Sequence, residues 1–308
     1  MPHDDRDTVK GAQASVEDFS PSGRDRERPI ALLALPNTGT DWFVEVLLRQ
    51  NPRLRYFREF FNPICNPKYE DVLNQAFGCE MVDNYRMIAK PFCPGDSVFE
   101  KTWAKEKYNF TKENYSAFKL EWFVQRFDCF ILYRRAEMSL PGSRMPVKAW
   151  YDAMYWSLLH NKWTLETDLR MLVDFAQAKG NTIAKRHVAA FVIYYYKLLK
   201  DAHRLRVPVL DYEDLMRRSR KDLIPYVQGL PAVLDSTRLA NDLVETRRLS
   251  YKHFDALKVQ GFLKGLVELA IKIGGDSVMA LRAGPSNRSS FEFVAGSTCH
   301  DVSAPIST

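Results

Sequence analysis

Two short stretches of the chain carry residues suited to gripping an anion. The first reads Leu35-Pro36-Asn37-Thr38-Gly39-Thr40-Asp41-Trp42. It follows an apolar run at 30–35 and leads into an amphipathic helical pattern. A turn from strand to helix presents backbone N–H groups at the positive end of the helix, an arrangement that binds phosphate or sulfate. Gly39 permits the bend, Thr38 and Thr40 add hydroxyl donors, and Pro36 stiffens the exit from the strand. The second stretch is "DCFILYRRAEMSLPGSRMP", an apolar run ending on Arg134 and Arg135, with Ser139, Ser143 and Arg144 behind. The planar fork of arginine matches phosphate oxygens. Each stretch by itself is commonplace, one an ordinary strand-to-helix turn and the other a solvated basic strand end. Together, at the carboxyl ends of two strands of one sheet, they suit a ligand with two anionic groups.

The first turn is not a Walker A loop. That pattern needs a glycine pair at fixed spacing and a lysine before Ser or Thr; here there is one glycine and no lysine. A nucleotide kinase or GTPase is therefore disfavoured. No His/Cys/Asp cluster has metal-ligand spacing, so no metal is expected. The five cysteines, Cys65, Cys79, Cys93, Cys129 and Cys299, form no CxxC pair and are odd in number. They suggest neither a disulfide framework nor a zinc site, and point to a reducing, cytoplasmic compartment.

The elements that must position these stretches are legible in outline. Apolar runs at 30–35, 129–133 and 207–210 look like buried strands, with a weaker candidate at 97–102. Between them lie helical patterns at 42–49, 116–127, 149–159, 184–205, 239–244 and 262–273. Short apolar runs alternating with helices predict an α/β fold, a central parallel sheet flanked by helices and helix-rich overall. The Tyr194-Tyr195-Tyr196 run reads as core packing on one of the long helices. Residues 1–28 are polar and charged, and 283–308 are rich in Ser, Gly and Pro, so both are expected to be disordered around a single domain at 29–282.

Of the 308 residues, 46% are hydrophobic and 13% aromatic, enough for a sizeable core. The net charge of +6 suits an anionic ligand but is too diffuse to indicate nucleic acid. No signal peptide is visible, and no apolar stretch approaches the roughly 20 residues of a membrane span.

The two anion stretches and a third element resemble the sulfotransferases that use 3′-phosphoadenosine 5′-phosphosulfate (PAPS). Their 5′-phosphosulfate loop reads approximately "YPKSGTTW", against Leu35 to Trp42 here. Their 3′-phosphate segment is a strand followed by Arg and, eight residues on, Ser; Arg135 and Ser143 have that spacing, with Arg134 alongside. Bacterial carbohydrate sulfotransferases also carry paired arginines there. A "YEDL" element after a late strand appears as Tyr212 to Leu215. The resemblance spans residues 29–216, with the motifs in the family's order. It implies a P-loop-like sulfotransferase fold and PAPS as co-substrate without a metal. It also implies a carbohydrate or other small-molecule hydroxyl as acceptor. Asn37, Thr38, Gly39 and Thr40 would hold the 5′-phosphosulfate, Trp42 would stack on or flank the adenine, and Arg135 and Ser143 would hold the 3′-phosphate, with Arg134 as a competitor for that role. Arg247 or Arg248 would close over it without a motif match.

Two positions depart from the pattern. The family's loop lysine is Asn37 here, and its second loop threonine is Asp41. For the missing charge the resemblance offers Lys101, in "FEKTW", against the family's "KTH" element, although the histidine of that element is Trp103. For the base it offers Glu59 in "RYFREFFNP", twenty residues after Gly39, against a bacterial "REYF". Its neighbours Phe57, Phe60 and Phe61 would desolvate it. The departures keep two alternatives open, a sulfotransferase-like nucleotide-binding protein with impaired catalysis and a P-loop kinase.

Overall fold

The computed structural model describes residues 28–36, 38–60, 107–114, 116–136, 147–180, 182–247 and 259–281. Within them a five-stranded sheet forms the centre of the molecule. The strands are β1 (Ile30–Leu33), β2 (Tyr56–Arg58), β3 (Phe110–Glu113), β4 (Asp128–Tyr133) and β5 (Val209–Asp211), in the order β2-β3-β1-β4-β5. Every pairing is parallel. Helices α1 (Thr40–Gln50), α2 (Leu120–Arg126), α3 (Val147–His160), α4 (Thr167–Ala178) and α5 (Ile183–Leu205) precede β5 in the chain. After it come α6 (Tyr212–Arg217), α7 (Arg220–Val227), α8 (Ser236–Thr246) and α9 (Gln260–Gly274). The fold is α/β and helix-rich, as the alternation of apolar runs and helical patterns predicts.

The parallel pairing explains why the strands read as continuous apolar runs. Side chains alternate between the two faces of a strand, and both faces of this sheet are covered. Ala31, Leu33, Cys129, Ile131 and Tyr133 face one layer, packed with α2, α3, α4, α5 and α9. Leu32, Phe130, Leu132 and Leu210 face the other, with α1, α6, α7 and α8. The longest helix, α5, has Thr182 as N-cap, its side chain accepting the Lys185 N–H, and ends at Arg206 in a left-handed conformation (φ 56°). Tyr194, Tyr195 and Tyr196 are all fully buried along it, which places the tyrosine run in the core.

Two strands escape sequence inspection. β2 is three residues long and β3 is "FTKE", so neither shows an apolar run. Yet all four residues of β3 are buried, because it lies between β1 and β2 rather than at an edge. The expected helix at 116–127 begins at Leu120, after a turn closed by the Lys119 N–H on the Ser116 carbonyl at 2.9 Å. The expected strand at 97–102 and the terminal segments lie outside the described residues.

The head of α1 depends on one glycine. Gly39 is its N-cap at φ 83°, in the left-handed region. A Cβ there would lie 2.3 Å from Cε2 of Tyr212, inside the ring's contact distance. Gly39→Ala should therefore lower stability by more than about 1 kcal/mol through backbone strain and the ring clash together. Chemical denaturation measures this; an unchanged midpoint would mean that Tyr212 is not held against the turn.

Candidate active site

The sheet order creates a crevice. The chain leaves β1 toward β2 on one side and leaves β4 toward β5 on the other. Where neighbouring parallel strands diverge in this way, the space beyond their carboxyl ends is the customary ligand position in α/β sheets. The turn 36–40 lies at the end of β1, and Arg134 and Arg135 lie at the end of β4.

The turn is shaped from beneath by buried hydroxyls. Tyr195 accepts the Leu35 N–H at 3.4 Å and donates to the Leu132 carbonyl at 3.1 Å, tying β1 to β4. Tyr151 donates to the Pro36 carbonyl at 2.8 Å. Thr38 is fully buried, its hydroxyl donating to the Leu35 carbonyl at 2.9 Å, so that side chain shapes the turn. Thr40 is also buried. The N-cap Gly39 has no side chain to bond the first N–H groups of α1, and a helix head of this kind suits an anion.

At the β4 side the two arginines differ. Arg134 is 3% exposed; its guanidinium lies 4.4 Å over the Tyr212 ring, and its Nε is 3.5 Å from Oε1 of Glu213. Arg135 donates its backbone N–H to Oε2 of Glu213 at 3.2 Å. Its side-chain Nε is buried and has no hydrogen-bond partner among the described residues. Arg134 is thus packed into the wall by the Tyr212 ring and Glu213, whereas Arg135 meets Glu213 through its backbone N–H. Burial, with Asp211 close by, pushes Glu213 up to about 7 against the lowering effect of the Arg135 N–H and Arg134.

Tyr212 joins these parts. Its ring contacts Gly39 on one side and Arg134 on another, and meets Trp42 edge-on at 5.8 Å. The Trp42 indole N–H is shared between the carbonyl and hydroxyl of Thr246, each at 3.1 Å. Arg247 follows directly, held by a bond from Nη2 to the Arg218 carbonyl at 2.5 Å, and burial lowers its pKa. The described parts of the three motifs singled out from sequence thus meet in one place. Asn37, Lys101, Ser139, Ser143, Arg144 and Arg248 lie outside the described residues.

Across the crevice stands a group that sequence inspection missed. Lys112, on β3, is 2% exposed. Its ammonium lies 2.7 Å from Oε1 of Glu59 and 2.8 Å from Oδ1 of Asp41. Burial alone would lower its pKa, but Glu59 and Asp41 outweigh burial and leave it raised. Glu59 is itself buried and also accepts from Nδ2 of Asn114 at 2.7 Å. Its backbone is left-handed (φ 47°), an uncommon conformation for glutamate, and its N–H bonds the Lys112 carbonyl at 3.0 Å. That bend, directly after β2, turns the carboxylate back over β3. Arg58 lies 3.6 Å from the outer oxygen of Asp41, both side chains well exposed. Lys112 pairs in register with Leu32 and Arg58, so it points to the α1 face of the sheet.

The signal for Lys112 was present in the sequence. Three segments read Phe-X-Lys, Phe99 to Lys101, Phe110 to Lys112 and Phe262 to Lys264. Only the second is seen as a strand ending in the crevice, and only the pairing of β3 with β1 and β2 reveals it. On the opposite face Lys119 is buried near Glu113, and burial pushes it down to about 7 despite that carboxylate.

The arrangement sets a buried carboxylate, ammonium and amide near the head of α1. Such a set can take a proton and stabilise developing negative charge. No metal-binding group of three His/Cys/Asp/Glu occurs among the described residues. No helix among them is long and apolar enough to cross a membrane. Comparison with known proteins returns no matching family model, no matching curated protein and no matching solved structure.

Glu213 allows a stability test of the buried cluster. Its folded pKa lies above the unfolded value, so its contribution is fully present below about 4.5 and is lost as pH rises through about 7. Over that window wild-type stability should carry a negative slope from this group of at most about 1.4 kcal/mol per pH unit. Glu213→Gln should remove it, so the difference between variant and wild-type denaturation free energies should grow in the variant's favour from pH 4.5 to 7. A difference that is flat with pH would show that Glu213 ionises normally in the fold.

Proposed function

We propose that the chain transfers a sulfuryl group from PAPS to a hydroxyl of a carbohydrate or other small molecule. The observation that carries this reading is the Lys112–Glu59 pair at 2.7 Å, set beside the head of α1. It supplies a base and a cation at one point, opposite a second anion-ready strand end at Arg135.

In this reading the backbone N–H groups at the head of α1 hold the 5′-phosphosulfate. Arg135 holds the 3′-phosphate, with Arg134 and Glu213 fixing the wall behind it. Trp42 flanks the adenine. The acceptor hydroxyl gives its proton to Glu59 as its oxygen attacks sulfur; the bond from sulfur to the bridging oxygen breaks, and 3′-phosphoadenosine 5′-phosphate leaves. Negative charge grows on the bridging oxygen, and a nearby cation stabilises it. The turn carries Asn37 where the resembling family carries lysine, and the role falls here to Lys112 rather than Lys101. The incoming phosphosulfate competes with Glu59 for the protons of Lys112. Binding of the donor thereby loosens the carboxylate that must act as base.

Calorimetry with 3′-phosphoadenosine 5′-phosphate tests the nucleotide site. Wild type should bind, and Arg135→Ala should weaken binding by about tenfold or more, the worth of a charge-assisted hydrogen bond. Absence of binding at millimolar nucleotide would overturn the proposal, and binding of ATP with Mg²⁺ in its place would favour the kinase. Glu59→Gln should lower sulfuryl transfer by about 10²–10⁴-fold, the span of a general base, while nucleotide binding is retained and no weaker than in wild type. Turnover equal to wild type would move the base elsewhere.

A further inference from the structure

We infer that Asp41 is a positioning residue, which holds the Lys112 ammonium at the head of α1 and accepts a penalty in nucleotide affinity for doing so. The inference rests on the sulfuryl-transfer reading and deepens it. An acidic residue in the first turn of a helix is ordinary, since it complements the helix dipole. Asp41 does more than that. Its Oδ1 lies 2.8 Å from the ammonium of a lysine that is 2% exposed and 71 positions away in sequence. The side chain of Asp41 is itself 64% exposed, so it reaches inward from the crevice mouth to that charge.

The ammonium has two carboxylate partners, from different elements. One is Glu59, directly after β2, and the other is Asp41, the second residue of α1. With Glu59 alone, a buried ammonium would settle fully onto that base. It would then be withdrawn from the phosphosulfate and would tie up the base more firmly. With Asp41 present it is suspended between the base and the helix head, where the leaving oxygen is to be placed. Arg58, 3.6 Å away, steadies the outer oxygen of Asp41.

The cost is electrostatic. Asp41 puts a negative charge one residue beyond Thr40, at the helix end that is to receive a phosphosulfate. A purely structural acid on α1 would change stability alone. A positioning acid shifts affinity and turnover in opposite directions.

Two readouts on the full chain test this, calorimetry with 3′-phosphoadenosine 5′-phosphate and release of sulfate from radiolabelled PAPS with water as acceptor. Asp41→Ala should bind the nucleotide about two- to fivefold tighter, the worth of removing one exposed like charge. Sulfate release should fall by about tenfold or more, since small misplacements of a catalytic group are costly. Asp41→Asn keeps an oxygen for Lys112 without the charge; it should match the gain in affinity and recover part of the turnover. Unchanged or weaker nucleotide binding in Asp41→Ala, or undiminished sulfate release, overturns the inference while leaving the donor site intact. Nucleotide binding absent from wild type overturns the sulfuryl-transfer reading and this inference together. A fall in both readouts with a lowered unfolding midpoint assigns Asp41 to the stability of α1 and likewise overturns it.

Discussion

A buried ammonium cannot stand alone. Removing one charge from water costs several kcal/mol, and breaking a buried pair by deleting a partner is strongly destabilising, by about 3–5 kcal/mol. Lys112 is 2% exposed, and much of the crevice follows from neutralising it. Glu59 is carried back over β3 by a left-handed turn, Asn114 supplies its second hydrogen bond, and Asp41 reaches in from α1. Three separate segments are thus gathered around one side chain of β3: the turn after β2, the residue after β3 and the first turn of α1.

The other wall of the crevice is organised around Tyr212 rather than around a charge. Its ring lies against Gly39, beneath the Arg134 guanidinium and edge-on to Trp42. A flat apolar surface of this kind can support a cation on one face and a turn on the other. It fixes the turn and the strand end relative to each other, which a ligand with two anionic groups requires. Arg134, packed here with Glu213, is therefore distinct from Arg135 although the two are adjacent in sequence. Sequence spacing matched Arg135 to the pattern and kept Arg134 as a competitor.

How much was legible depended on how local each feature is. β1, β4 and β5 are short apolar runs bounded by polar residues, and their alternation with helical patterns announces a parallel sheet. Six helical segments show because their apolar faces recur at helical spacing; α4, α6 and α7 are not among them. β3 did not show, since a four-residue strand bearing Thr, Lys and Glu has no apolar signature. Its burial comes from its neighbours. For the same reason Lys101 drew attention and Lys112 did not: both follow Phe-X, and local sequence holds nothing that separates them.

The sequence by itself determined the class of the fold, the turn at Gly39, the paired arginines and the candidate base at Glu59. Each of these is carried by a few consecutive residues. Only the tertiary structure decided which cation faces Glu59, which lysine Asp41 reaches and which arginine packs on the Tyr212 ring. Those choices depend on which strands lie side by side, with partners 71 positions apart for Asp41 and Lys112 and 78 for Arg135 and Glu213. A local pattern can specify a turn or a helix. The counter-charge of a buried lysine is specified only once the sheet order brings it within hydrogen-bond reach.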